Sequence, residues 1–193
     1  MGVETTETTR QRLSSASAEE TALIRAAQRG DRAAFAQLVE RYWSRLFRWL
    51  YHLAHDRHQA EDMAQEAFLK ALANLGRFKA GTNFRAWLFR IAHNHYANQV
   101  RASHRRRSPL PDDLPDPDQG PVELACSRES LAERAQAVER LPTEWKAALL
   151  LRVEEELSFR QIAEILDTTE ETARWRVFKA RRQLLGELPS ENV

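Results

Sequence analysis

From Lys70 to Ser108 the chain has no carboxylate, yet it carries arginine and lysine throughout. On a helical period Arg90, Asn94, Ala97 and Arg101 line one side of this stretch, with Trp87 at the margin and Asn98 nearby, and His104-Arg105-Arg106-Arg107 extends the charge. A solvated helix normally intersperses acids with its bases, so an acid-free run points to a polyanion. Aromatic rings beside such a run suit unpaired bases, each stacked base being worth roughly 1–3 kcal/mol. Trp87, Phe84 and Phe78 are the candidate rings, with a core position the competing reading for Phe84. A second basic set, Arg174, Trp175, Arg176, Lys179 and Arg182, lies outside the apolar stripe of its helix. Such side chains serve either a nucleic acid or merely the helix dipole and solubility.

A third set is acidic: Asp62, Gln65 and Glu66, with Leu69 beside them. It is either a docking face or a solvated one, and charge pattern alone favours the solvated reading. Chemistry of other kinds finds no purchase. His52, His55 and His58, and the pair His93 and His95, have no cysteine with them, and their helical spacing makes them diverge, so no metal is expected. There is no Gly-rich phosphate loop, nucleophile elbow or paired-carboxylate signature, so neither catalysis nor a cofactor is expected.

The elements that must position these residues read as helices. Leu23, Ala26 and Ala27 make a short amphipathic segment ending at Gly30-Asp31. Phe35, Leu38, Val39, Tyr42, Leu46, Trp49, Leu50 and Leu53 mark a longer helix. Asp56, with Gln59 at the reciprocal position, caps the next, whose apolar stripe is Ala60, Met63, Ala64, Ala67, Phe68, Ala71 and Leu75. Thr82 or Asn83 starts the helix of the basic run, with Phe84, Leu88, Ile91, Ala92 and His95 facing one way. Residues 108–121 hold five of the seven prolines and four acids, the composition of an extended tether. Helix resumes from near Arg128 to Leu141, Pro142 stops it, Thr143 can cap, and Leu149, Leu150 and Val153 open the next. Ser158 with Gln161 is a capping box, followed by Ile162, Ala163 and Leu166 on one face. After Asp167, Thr168 with Glu171 offers another, followed by Ala173, Val177, Ala180 and Leu184. Two short helices joined by a tight turn form a helix-turn-helix, whose second helix can enter a DNA major groove.

Composition divides the same way. The net charge of +1 hides 16 Lys/Arg against 7 Asp/Glu in residues 20–107, and five acids with no base in 108–127. The expectation is an all-α chain of two small helical domains, 19–107 and 128–188, joined by a Pro/Asp-rich linker over 108–127. A flexible leader is expected over 1–18 and a tail over 189–193. One cysteine, Cys126, excludes an internal disulfide. Without a membrane-length apolar run or signal-peptide core, a cytoplasmic protein is expected.

With these residues in view, the chain resembles the extracytoplasmic-function group of bacterial sigma factors, the smallest of the sigma-70 family. The resemblance rests on RGDRAAFAQLVERYW (29–43), AEDMAQEAFLKAL (60–72), FRAWLFRIAHN (84–94), LPTEWKAALLLRVEEELSFRQIAEIL (141–166) and ARWRVFKARRQL (173–184). It implies a region 2-like bundle and a region 4-like helix-turn-helix, with no enzymatic activity of their own. It reassigns Asp62, Gln65, Glu66 and Leu69 to docking on the clamp coiled coil of the polymerase's β′ subunit. It implies capture of the unstacked −10 strand by Lys79, Thr82, Asn83, Arg85, Trp87, Arg90, Asn94 and Asn98, to which Arg101 of the same basic side is added. It implies reading of the −35 duplex by Thr172, Arg174, Trp175, Arg176 and Lys179. The acidic tether would thread toward the active centre and RNA exit path, and an anti-sigma partner would hold the protein in check. Asn98 stands where the family usually has aspartate, and Asp167 where its turn usually has glycine. The recognition helix opens Glu171-Thr172-Ala173-Arg174-Trp175-Arg176 in place of the common Gly-Thr-Val-Lys-Ser-Arg, so promoter sequence does not carry over. Two rival readings are a free-standing helix-turn-helix regulator of duplex DNA and a helical adaptor that holds RNA.

Overall fold

The computed structural model describes residues 18–106 and 137–186, and every regular element among them is helical. The leader over 1–17, the Pro/Asp-rich segment with Cys126, the helix start near Arg128 and the tail lie outside the described residues. So do the side chains of His104 to Arg107. Contacts divide the chain into two units, Met1–His93 and Asn94–Val193. Each is taken by itself, and the helix Phe84–Arg106, which runs through the boundary, is described along with the first.

In the first unit, helix α1 covers residues 18–28. It buries Ile24 and Ala27, leaving Leu23 and Ala26 half-buried, so its inner face is turned from the expected one. Gly30 then adopts a left-handed φ of 95°, which only glycine takes without strain. Helix α2 (Arg32–Ala54) starts where the Asp31 carboxylate accepts from the Ala33 and Ala34 amides at 2.9 and 3.1 Å. It buries Leu38, Tyr42, Leu46, Trp49, Leu50 and Leu53, as their spacing requires. Helix α3 (Arg57–Asn74) is capped by Asp56, which accepts from the Gln59 amide N–H at 2.9 Å. All seven residues of its expected apolar stripe are buried. Four of them are alanines at 60, 64, 67 and 71, a seam of bare Cβ atoms on the helix that packs against α2.

A single 3-10 turn, Leu75–Arg77, ends this run. Gln28 of α1 reaches across to it. Its side-chain amide donates to the Leu75 carbonyl at 2.9 Å and to the Phe78 carbonyl at 2.7 Å. Helix α4 (Phe84–Arg106) is capped by Asn83, which accepts from the Ala86 amide at 2.9 Å. Thr82, the alternative cap, instead donates its hydroxyl to the Lys79 carbonyl at 2.8 Å. The buried face of α4 is Phe84, Leu88, Phe89 and Ala92. Ile91 and His95, placed on that face by periodicity, are only half-buried, while Phe89 packs on Trp49 with ring centroids 5.3 Å apart.

The second unit contains α5 (Thr143–Val153), α6 (Phe159–Ile165) and α7 (Glu170–Leu184). Pro142, not Thr143, is the N-cap of α5, and Thr143 is already its first helical residue. Proline suits this position because its missing N–H is not needed there. Leu149, Leu150 and Leu151 are buried with Trp145 and Ala148, but Val153 is exposed, contrary to its expected packing role. Lys146 is 1% exposed and survives there because its ammonium meets the Glu139 carboxylate at 2.8 Å and the Glu139 carbonyl at 3.1 Å. The capping box of α6 forms as expected. Ser158 Oγ accepts from the Gln161 amide at 3.3 Å, and Gln161 Oε1 accepts from the Ser158 amide at 2.9 Å.

Asp167 turns the chain with a left-handed φ of 50°. Helix α7 is then capped by Thr169, one residue later than the sequence suggested, with the Thr172 amide donating to its hydroxyl at 3.1 Å. The shift has a local cause: the Thr168 N–H closes the preceding helix onto the Ala163 carbonyl at 3.0 Å. Ala173, Val177 and Ala180 pack inward against α5 and α6.

Candidate nucleic-acid and partner interfaces

The acidic set is assembled by α3 alone. At about 100° per residue, Asp62, Gln65, Glu66 and Leu69 fall opposite the buried alanine seam. Asp62, Gln65 and Leu69 are exposed and Glu66 is half-buried, its carboxylate 3.3 Å from the Lys70 ammonium. Leu69 is 62% exposed, and Leu72 joins it at 48%. Leu72 escaped the sequence reading, although its spacing of three from Leu69, outside the apolar stripe, was the available signal. Two leucines held in water beside carboxylates make a surface with an apolar centre and a charged margin.

The basic set of α4 forms a stripe. Trp87, Arg90, Asn94, Asn98 and Arg101 follow one another at spacings of three and four along the helix, and Arg90, Asn94, Asn98 and Arg101 are exposed. The Arg101 guanidinium also reaches back to the Ala97 carbonyl at 3.2 Å. Lys79 and Thr82 are exposed in the preceding turn, while Asn83 spends its side-chain oxygen on the helix cap. Arg85 stands apart. It falls on the packed side of α4, where its positive charge is felt by the buried Tyr42 hydroxyl. Burial, and then Glu20, holds that hydroxyl far above the usual phenol range, and it donates to Glu20 at 2.9 Å. Of the three candidate stacking rings, Phe84 and Phe78 are core. Trp87 is half-buried, its ring centroid 4.9 Å from Phe78 and 5.6 Å from Phe84. One ring therefore remains partly open, backed by the other two.

On α7 the basic side chains separate into two groups. Arg174 is exposed beside Trp175 and Lys179 is half-buried, with Arg174 held 2.9 Å from Glu170 and 4.8 Å over the Phe159 ring. Arg176 lies on the flank, its side chain only 15% exposed and ion-paired with Glu144 of α5. It braces α7 against α5. Thr172 is engaged at the cap, its hydroxyl 2.8 Å from that of Thr169. The outward side also presents Phe178 and Arg182, the latter's guanidinium 5.6 Å over the Phe178 ring. Phe178 was missed because an aromatic on an amphipathic helix reads first as core. Its place outside the stripe of Ala173, Val177 and Ala180 was the clue. Among the described residues no three His, Cys, Asp or Glu side chains gather as a metal would require, and no helix is long and apolar enough to cross a membrane.

A helix-turn-helix with an outward row of cations, and a second basic helix backed by rings, define a helical DNA-binding protein. The sequence profile of Sigma-70 region 2 matches residues 38–107, and that of Sigma-70, region 4 matches residues 134–184. The chain is 34% identical to the RNA polymerase sigma-H factor of Pseudomonas aeruginosa, over 84% of its own length and 90% of that protein's. It is 33% identical to the ECF RNA polymerase sigma-E factor of Haemophilus influenzae, over 84% and 92%. Its fold is similar to that of CnrH in complex with the cytosolic domain of CnrY, with a TM-score of 0.62 and 25% identity, covering 90% of this chain and 99% of that one. A similar fold is found in the sigma factor RpoE of Bartonella quintana, in complex with the anti-sigma factor NepR. There the TM-score is 0.63 at 24% identity, over 82% and 98% of the two chains. The chain belongs to the sigma-70 family, in its extracytoplasmic-function group. It is an RNA polymerase sigma factor, a subunit of promoter-specific transcription initiation, and the free-standing regulator is not favoured.

Proposed function

We propose that this sigma factor divides its work among the three faces. The exposed side of α3, centred on Leu69 with Asp62, Gln65 and Glu66 around it, docks on the β′ clamp coiled coil of the core polymerase. The α4 stripe of Trp87, Arg90, Asn94, Asn98 and Arg101, with Lys79, Thr82 and Asn83 in the turn before it, captures the unstacked −10 strand. Helix α7 reads the −35 duplex through Arg174, Trp175 and Lys179. Thr172 and Arg176 serve the same contact from behind, one by fixing the helix start and the other by bracing the helix.

The reading is carried by one observation: two leucines stand in water on a helix whose opposite side is already filled. Exposed leucines beside carboxylates suit a protein partner better than DNA, whose phosphates the carboxylates would repel. Conversely, the acid-free α4 stripe suits phosphate and exposed bases. Melting follows from differential binding, because α4 gains contacts only when the −10 bases leave the stack. The chain makes no bond itself, and it works in the cytoplasm where its polymerase is. Two functional domains, 19–107 and 128–188, divide these roles, with the acidic linker between them directed toward the RNA path. An anti-sigma partner covering the docking surfaces would hold it inactive; the similarly folded RpoE of Bartonella quintana is found in complex with the anti-sigma factor NepR.

The test is binding of purified core polymerase to Asp62→Ala/Glu66→Ala. Loss of core affinity with an unchanged circular-dichroism spectrum and thermal midpoint supports the docking face. Core binding equal to the parent's refutes it.

A further inference from the structure

We infer that Trp175 recognises a thymine, through its methyl and its O4, in the duplex that α7 faces; the inference rests on the −35 reading above. The indole is 49% exposed on the outward side of α7, between the exposed Arg174 and the half-buried Lys179. Its pose is set before any ligand arrives. Trp145 of α5, itself buried, meets it ring to ring at 5.6 Å and 87°, and the Lys179 ammonium stands 5.5 Å from its ring centroid. A ring that is fixed from two sides but left open on the outside presents a rigid apolar surface to whatever α7 approaches.

Base-edge chemistry then narrows the partner. Indole has a single polar atom, an N–H that donates and never accepts. In the major groove the only apolar group is the thymine methyl, and the thymine O4 next to it accepts a hydrogen bond. Cytosine at the same place offers an amino donor, which indole cannot satisfy. Adenine and guanine give the N–H an acceptor but leave the ring without an apolar contact. Thymine alone answers both the carbon surface and the N–H.

The test uses the full chain bound to bacterial core polymerase and an upstream duplex selected from a randomised pool. Each thymine of either strand is replaced in turn by deoxyuridine, which removes one methyl and leaves pairing and O4 intact. The perturbation lies in the DNA, so folding of the protein is untouched. The expected result is a loss of affinity of about fourfold at one position, the worth of one buried methyl. Trp175→Ala should be weaker overall and indifferent to the same replacement. A parent that tolerates every replacement overturns the inference, as does a Trp175→Ala protein that keeps the sensitivity or a selected element without thymine. Arg174→Ala and Lys179→Ala report separately on the underlying reading. If they lose upstream preference while deoxyuridine is silent, α7 still faces the duplex and only the methyl assignment falls. If they keep that preference, the α7 reading and this inference fall together.

Discussion

Leu69→Ala isolates the apolar part of the proposed polymerase contact. Full burial of a leucine side chain is worth about 1.5–3 kcal/mol. Leu69 is 62% exposed in the free chain, so burying the remainder against a partner gains about 1–2 kcal/mol. Alanine keeps the β-carbon, which puts the expected loss near the lower end, about 1 kcal/mol or fivefold in core affinity. Leu72, 48% exposed, adds a smaller loss if the contact extends to it. The assay is a fluorescence-anisotropy titration of labelled sigma with core polymerase, beside a thermal melt of the free protein. Because neither leucine is in the core, the melting midpoint should hold within the error of a surface substitution. A Leu69→Ala/Leu72→Ala chain that binds core like the parent would refute the reasoning, since the most exposed apolar surface of α3 would then remain in water in the complex.

Three other outcomes follow from the geometry. Arg90→Ala should weaken single-stranded −10 binding and lower the salt dependence by about one counterion, whereas Arg85→Ala should leave that slope unchanged; a salt titration separates them. Gln28→Leu removes the donor shared by the Leu75 and Phe78 carbonyls, and should cost about 1–3 kcal/mol in a denaturant melt while impairing −10 capture more than upstream duplex binding. Tyr42 has its hydroxyl raised by burial and by Glu20, so its neutral form belongs to the folded state. The stability it supplies is complete below the ordinary phenol range near pH 10 and is lost as pH rises above it, when only the unfolded chain ionises. Tyr42→Phe should flatten that alkaline loss in melts taken between pH 9 and 11.

Much of this architecture was legible because helical periodicity is a local property. The stripe of α3 could be counted from Ala60 to Leu75 without knowing its partner, and so could its acidic opposite side. The α4 stripe followed from the same counting. What could not be counted was any role set through space. Arg85 has the residue type of a phosphate binder, but it falls on the packed side of α4, where its charge is felt by the Tyr42 hydroxyl. Arg176 sits in the middle of a basic run, yet Glu144, more than thirty residues earlier, draws it to the flank. The cap of α7 moved from Thr168 to Thr169 because a backbone N–H had a prior engagement with the helix before it. Pro142 displaced Thr143 for a comparable reason, a cap being decided by backbone angles that neighbouring residues impose. The acidic face was the hardest: nothing in its charges distinguishes docking from solvation, and the exposed Leu69 and Leu72 beside it are what favour the docking proposed above.

The four alanines of α3 have a bearing on how a promoter complex is held together. A methyl has no rotamers to rearrange, so the alanine positions of that buried seam leave little room for side-chain adjustment where α3 packs. Helix α2 is in turn joined to the inner side of the basic helix by rings, Tyr42 on Phe84 at 5.6 Å and Trp49 on Phe89 at 5.3 Å. On the proposed reading, the face for the enzyme and the face for the opened strand thus share one packed frame. Enlarging an alanine in that seam would strain the packing on which both proposed faces stand.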